Sequence, residues 1–171
     1  MHWSELDTTK GSEHVINGNR FPLEIHFVHY KTAYGSVAQA LEHPDGLAVL
    51  GVFCKEIPTG EETLFNKLLP NDISPLEQEH GRLEIPGFDA AAVAKKFINF
   101  NELVNYQGSL TTPTCNEVVD WWVFPKPTPI TSAQLAKIRR INLDHGDKSN
   151  YRNLQPLNGR PVLRNFRGNL T

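Results

Sequence analysis

Two stretches of the chain carry side chains able to do chemistry. The first is Leu23-Glu24-Ile25-His26-Phe27-Val28-His29-Tyr30. It has the apolar and β-branched density of a strand, and it holds two histidines with a carboxylate two residues before the first. On a strand, side chains alternate between faces. Glu24, His26, Val28 and Tyr30 therefore share one face, and Leu23, Ile25, Phe27 and His29 share the other. A carboxylate beside an imidazole is the arrangement that orients a metal-binding histidine. The same pattern also describes a sheet strand whose histidines only pack and hydrogen-bond. The second stretch is Ser109-Leu110-Thr111-Thr112-Pro113. Its adjacent hydroxyls are either active-site groups or turn residues making local hydrogen bonds.

The elements that must position these residues are mainly strands. Asn17-Gly18 supplies the positive φ angles of a tight turn, predicting a hairpin of Gly11–Ile16 with Phe21–Tyr30. Leu47–Cys54 is a continuous apolar run and reads as a buried central strand. Val118–Phe124 reads as a further strand, which Pro125, Pro127 and Pro129 are expected to end. Residues 105–115 read as a turn-rich loop, and residues 71–88 as surface loop. Short helices are predicted over 38–42, over 61–69, after Asp89 as N-cap, and over 132–141 behind a Thr131/Gln134 capping box. The tail from Asn142 is polar, with short extended pieces such as Pro161-Val162-Leu163. The fold class expected is mainly β: a central twisted, mostly antiparallel sheet with short peripheral helices, in a single domain over 1–171.

Bulk properties exclude several classes. The chain has 171 residues, 17 basic and 19 acidic side chains and a formal charge of −2, so no basic excess points to nucleic acid. No apolar run reaches the roughly 18–20 residues of a transmembrane helix. The first residues show neither a basic nor an apolar signal region, predicting no signal peptide in this chain. Cys54 and Cys115 permit one disulfide without requiring it, and Asn169-Leu170-Thr171 matches a glycosylation acceptor.

Taken together, His2-Trp3, Gly11-Ser12-Glu13-His14, the 23–29 stretch, Gly46–Gly51, Gly108–Pro113, Trp121 and Asn150 with Gln155-Pro156-Leu157 resemble the α-class carbonic anhydrases, in order and spacing. The resemblance implies reversible hydration of carbon dioxide to bicarbonate and a proton by zinc-bound hydroxide, with Zn2+ as cofactor. It implies His2 and His26 as zinc ligands, Glu24 as the carboxylate that orients His26, and Asn150 as support for His2. Thr111 matches the threonine that positions the attacking group, Glu13 the carboxylate that orients it, and Thr112 a second active-site hydroxyl. Val28, Val49, Leu110, Val119 and Trp121 match the apolar substrate wall. His14 and Tyr106 match buried hydrogen-bonding positions. His29 is expected to be packed in the core, and His43, His80 and His145 to lie at the surface. Cys115 matches a cysteine of secreted and membrane-anchored members, where it pairs with one near the N-terminus, which favours an extracellular setting.

The pattern departs from the family at one point. The family's third histidine ligand would stand immediately before Met1. The expectation is an N-terminally incomplete anhydrase, since Glu13, His26, Thr111 and Thr112 are all intact. The alternative is a catalytically inactive carbonic anhydrase-related binding or structural module. The amine of Met1 is a further candidate for the missing ligand.

Overall fold

The apolar run beginning at Leu47 forms the strand on which the sheet is built. A computed structural model of the chain describes residues 1–7, 9–60, 62–78, 81–143 and 146–167. Within them lie β1 (His2–Trp3), β2 (Leu23–Tyr30), β3 (Leu47–Ile57), β4 (Val104–Gly108), β5 (Val119–Thr131) and β6 (Leu163–Arg164). They form one sheet in the order β1-β2-β3-β5-β4-β6. Only β3 and β5 pair in parallel; the other neighbours are antiparallel. The middle of β3 is covered on both faces, which is why it reads as an unbroken apolar run. The expected mainly-β, mostly antiparallel class holds.

Register defines two faces. His26 lies opposite Gly51, which lies opposite Val123. Val28 lies opposite Val49, Val49 opposite Trp121, and Trp121 opposite Tyr106. These residues, with Glu24 and Phe53, make one face. The other face carries Leu23, Ile25 and Cys54, which pack against Leu64, Phe65, Val93, Leu135 and Ile138. Those partners come from or adjoin α2 (Phe65–Leu68), α3 (Ala90–Phe97) and α4 (Ser132–Ile138). Burying a large side chain of this kind contributes about 1.5–3 kcal/mol, and this face is where the sheet gains most of its apolar cover. Asp89 caps α3, and Thr131 with Gln134 forms the expected reciprocal cap on α4. A one-turn helix, α1 (Val37–Ala40), is capped by Ser36.

Several local expectations are corrected. The Asn17-Gly18 turn forms, with φ of 49° and 82°, and Ile16 and Asn19 exchange backbone bonds of 3.0 and 2.8 Å. Residues 11–16, however, form no strand, because the N–H groups of Glu13 and His14 are taken by the Glu24 side chain. The antiparallel neighbours of β2 are instead β1 and β3. The prolines do not end β5. Its register against β3 slips between Val52 and Cys54, so three residues including Pro125 and Pro127 span the irregularity. Beyond Val123 no pairing with β4 remains, so a missing N–H on that side breaks no ladder.

Residues 105–108, read as the start of a loop, belong to β4, which begins at Val104. The helix expected over 61–69 is confined to α2, with Glu61 outside the described residues, and α4 stops at Ile138. His80, His145 and the Asn169-Leu170-Thr171 triplet lie outside the described residues. His29 is exposed rather than packed, because β2 runs out of cover at its C-terminal end. His43 is half-buried, stacked on the Tyr34 ring at 3.9 Å.

Candidate metal centre

The short strand β1 places a histidine beside the polar face of β2. His2 is the register partner of Glu24, and Trp3 that of Leu23. Alternation therefore sends His2 to the same face as Glu24 and His26, while Trp3 goes into the helix-backed core. The loop after β1 then crosses this face, and its Glu13 and His14 N–H groups each donate to Glu24 Oε2 at 2.9 Å.

Glu24 is fully buried and organises the cluster. Its Oε1 lies 2.8 Å from His26 Nε2 and 2.6 Å from His14 Nδ1. With the two backbone donors, all four contacts available to a carboxylate are used. Hydrogen bonds to a charged group contribute about 1.5–3 kcal/mol each, which is what allows a carboxylate to sit at full burial. On the far side of the His14 ring, Nε2 lies 2.5 Å from the Tyr106 hydroxyl.

These contacts fix tautomers. His26 must carry its proton on Nε2 to donate to Glu24, which leaves a lone pair on Nδ1. His2 Nδ1 lies 2.8 Å from the backbone carbonyl oxygen of Asn150, which can only accept. His2 is therefore protonated on Nδ1 and bears a lone pair on Nε2. The two rings are 4.5 Å apart between centroids. The Asn150 side chain clamps the strand as well, accepting from Trp3 N–H at 2.7 Å and donating to the Met1 carbonyl at 3.0 Å.

Glu13 closes the group. The residue is 7 % exposed. Its Oε1 accepts the Arg152 N–H at 2.7 Å. Its Oε2 is buried without a hydrogen-bond partner, 3.3 Å from His2 Nε2 and 3.8 Å from His26 Nδ1. Donor atoms of His2, Glu13 and His26 all lie within 4.8 Å of one another; His14, Glu24 and His26 form a second such group.

Electrostatics follow from burial. Burial lowers the pKa of His2 to about 3, and the neighbouring His26 adds to the effect, so His2 is a neutral imidazole near pH 7. Burial opposes charge on Glu24, but the His14 and His26 partners outweigh it and hold its carboxyl well below the usual range. Burial likewise opposes charge on His14, and the Glu24 carboxylate overcomes it, raising its pKa. Burial pushes the Tyr106 hydroxyl and the Cys54 thiol up.

The other predicted positions fall around this cluster unevenly. Thr111 and Glu13 line one cavity of about 430 Å³, together with His14, Tyr106 and Arg152. The hydrogen bond on Glu13 Oε1 comes from the Arg152 N–H and not from the threonine. Thr112 is exposed. Val49, Val119 and Trp121 are packed in an apolar cluster against which Leu110 rests, and the Trp121 ring lies 4.7 Å from that of His26. Val28 is 55 % exposed. Cys54 and Cys115 are both free thiols, the first buried and the second half-buried.

Two contributors escaped the sequence reading. Arg152 acts on Glu13 through its backbone N–H, which leaves no side-chain signature. Gly51 left a usable signal, a glycine inside an apolar strand: a Cβ there would stand 3.1 Å from Glu24 Oε1 and 3.4 Å from Val123 Cγ2.

The family model for eukaryotic-type carbonic anhydrase matches residues 1–166. Carbonic anhydrase 6 of Canis lupus familiaris is 38% identical over 170 residues, covering 97% of this chain and 52% of that protein. Carbonic anhydrase 6 of Homo sapiens is 35% identical over 170 residues, 97% of this chain and 54% of that protein. A putative carbonic anhydrase 5 of Caenorhabditis elegans is 36% identical over 167 residues, 95% of this chain and 51% of that protein. The chain spans about half the length of these curated relatives. With nearly the whole chain matched by the family model, it belongs to the eukaryotic-type carbonic anhydrase family.

Proposed function

We propose that this chain holds zinc at His2 and His26 and serves the reversible hydration of carbon dioxide to bicarbonate. The observation that carries the reading is the pair of lone-pair nitrogens, His2 Nε2 and His26 Nδ1, on rings 4.5 Å apart and turned toward one buried carboxylate oxygen. Neutral imidazole nitrogens and a carboxylate oxygen are the donor chemistry zinc takes. When bound, zinc supplies the Lewis acid that makes water nucleophilic at neutral pH, for which carbonic anhydrases are the standard example.

The chain's own residues do the positioning. The Asn150 carbonyl holds His2 in the tautomer that presents Nε2, and Glu24 does the same for Nδ1 of His26. Such supporting contacts typically matter by about 10–100-fold in metal affinity. Trp121 packs against both His14 and His26, at 4.8 and 4.7 Å between centroids, and shields them from water on that side. With Val49 and Leu110 it gives an apolar wall suited to a substrate without a net dipole. Thr111 lines the same cavity as Glu13, and its hydroxyl is the group we assign to orienting the reacting molecule. Cys115, a half-buried free thiol, matches a cysteine of secreted and membrane-anchored family members, and that match is what supports an extracellular setting. No described helix is long and apolar enough to cross a membrane.

The test is zinc uptake by the metal-free chain combined with stopped-flow carbon dioxide hydration. One zinc per chain and a sulfonamide-sensitive rate, both lost in His26→Ala, are expected. Stoichiometric zinc without hydration would favour the non-catalytic binding module, and no zinc at all would end the enzyme reading.

A further inference from the structure

Three times in this sequence an asparagine or aspartate precedes a glycine: Asn17-Gly18, Asp45-Gly46 and Asn158-Gly159. Such a pair can react with itself. A glycine nitrogen has no side chain of its own residue to shield it, and the side-chain carbonyl carbon of the preceding residue is within its reach along the chain. The fold treats the three pairs differently.

Asp45-Gly46 is tied at both residues. The Asp45 carboxylate accepts from the Tyr34 hydroxyl at 2.6 Å and from Lys31 Nζ. The Gly46 N–H donates to the His43 carbonyl at 3.1 Å, and a Cβ on Gly46 would collide with the Ala40 carbonyl oxygen. Asn17-Gly18 is held by its ends. Ile16 and Asn19 bond each other in both directions, at 3.0 and 2.8 Å, and Asn19 Nδ2 donates to the Asn17 carbonyl at 3.5 Å.

Asn158-Gly159 is the exposed centre of a turn closed by one backbone bond, from the Arg160 N–H to the Leu157 carbonyl at 2.9 Å. Both central residues have positive φ, 51° and 74°, the geometry that Asn-Gly turns favour. Among the described residues, neither the Asn158 side chain nor the Gly159 N–H has a hydrogen-bond partner. Nothing lies within 4 Å of where a Gly159 Cβ would stand. Bringing the Gly159 nitrogen onto the Asn158 side chain requires only that this turn open, and exposed backbone with few bonds opens at the least cost.

We propose that Asn158 is a site of self-modification by intramolecular deamidation, with water as the co-reactant. The Gly159 nitrogen bonds to the Asn158 side-chain amide carbon. The bond from that carbon to the amide nitrogen breaks, and ammonia leaves with the proton from the Gly159 N–H. Water then opens the cyclic imide at either carbonyl and restores the N–H. Opening at the side-chain carbonyl leaves aspartate; opening at the main-chain carbonyl leaves isoaspartate. The second product lengthens the main chain by one carbon inside the turn that Arg160 closes. Arg160 also donates to the Leu157 carbonyl through Nε at 3.0 Å, to the Pro156 carbonyl through Nη2 at 3.1 Å and to the Gln107 carbonyl of β4 through Nη1 at 3.2 Å. Its guanidinium stands 5.4 Å from the centre of the Tyr106 ring. Isoaspartate at 158 therefore loosens the clamp between this turn and β4.

The test is incubation of the 171-residue chain in warm, mildly alkaline ¹⁸O-water, with peptide mapping that separates asparagine, aspartate and isoaspartate at the three pairs. Asn158 should convert first, gaining one ¹⁸O and yielding isoaspartate as well as aspartate. Asn17 should lag by about tenfold or more, the factor that about 1.4 kcal/mol of extra opening free energy makes. Asp45 should gain no label. In urea strong enough to unfold the chain, the rates at Asn158 and Asn17 should converge, because their difference lies in the fold. Deuterium exchange at the Arg160 N–H should be faster in the separated isoaspartate form than in Asn158→Asp, which adds the charge but keeps the length of the main chain.

No conversion at Asn158 in the folded chain overturns the proposal. So does conversion of Asn17 or Asp45 as fast as that of Asn158, or a preference for Asn158 that persists unchanged in urea. Equal exchange at Arg160 in the isoaspartate form and in Asn158→Asp overturns the effect on the clamp.

Discussion

On one face of β2, Leu23 and Ile25 disappear beneath helices; on the other, Glu24 and His26 lie nearly as deep among polar groups. The helix-backed face is held by many contacts that are individually weak and largely interchangeable. On the polar face, the buried groups around Glu24 have named partner atoms, and Glu24 is that partner for four of them, while Glu13 Oε2 has none. Burial has a different meaning on the two sides. Loss on the helix side leaves a cavity whose neighbours relax, whereas loss on the polar side leaves donors that cannot reach water.

Glu24→Ala should therefore have the largest effect. Removing one member of a buried charged cluster destabilises by about 3–5 kcal/mol, and here two imidazoles and two backbone N–H groups lose their acceptor together. Urea unfolding should show the loss. Zinc affinity of the folded fraction should fall too, because the His26 tautomer is no longer fixed. A loss under about 1 kcal/mol would mean that water reaches the cluster, and the contrast between faces would collapse.

Leu135→Ala probes the other face. Leu135 is fully buried beneath the sheet, and truncation should cost about 2–5 kcal/mol with a cavity. The stability loss resembles that of Glu24→Ala, but zinc affinity measured below the unfolding transition should not change. A shift in metal affinity here would show that the two faces are mechanically coupled. Thr131→Ala, which removes the side-chain cap of α4, should cost about 0.5–2 kcal/mol by the same unfolding measurement, again with the metal site untouched.

How far the sequence revealed these faces depended on what kind of atom does the work. The alternation of β2 was legible because Leu23, Glu24, Ile25 and His26 alternate apolar with polar side chains. The β3 run and the caps of α3 and α4 were legible for similar reasons, as each rests on side-chain type at fixed spacing. β4 was not, because Val104-Asn105-Tyr106-Gln107-Gly108 looks like a loop. Its polar residues are satisfied across the strand, with Asn105 and Gln107 both donating to Asp120 at 2.7 and 2.9 Å. β5 was cut short because the prolines carry a strand-breaking signal that local pairing geometry overrides. The failed hairpin has the most instructive cause. The backbone of Glu13 and His14 is spent on the Glu24 side chain, a tertiary contact that no local pattern displays. The Arg152 contribution to Glu13 was hidden for the same reason.

His29 gives the smallest expected effect and the cleanest control on the comparison. It sits three residues beyond His26 on the opposite face, where parity alone places it with the core. The strand outruns its helical cover before reaching it, so the side chain is exposed. His29→Ala should then change stability by no more than about 0.5 kcal/mol, as for other surface positions, and leave zinc affinity unchanged. His26→Ala on the same strand should abolish metal binding. A cost for His29→Ala near that of Leu135→Ala would mean that the helix-backed core extends to the end of β2. A loss of zinc would mean that the register of β2 against β1 differs by one residue, since only such a slip exchanges the two faces.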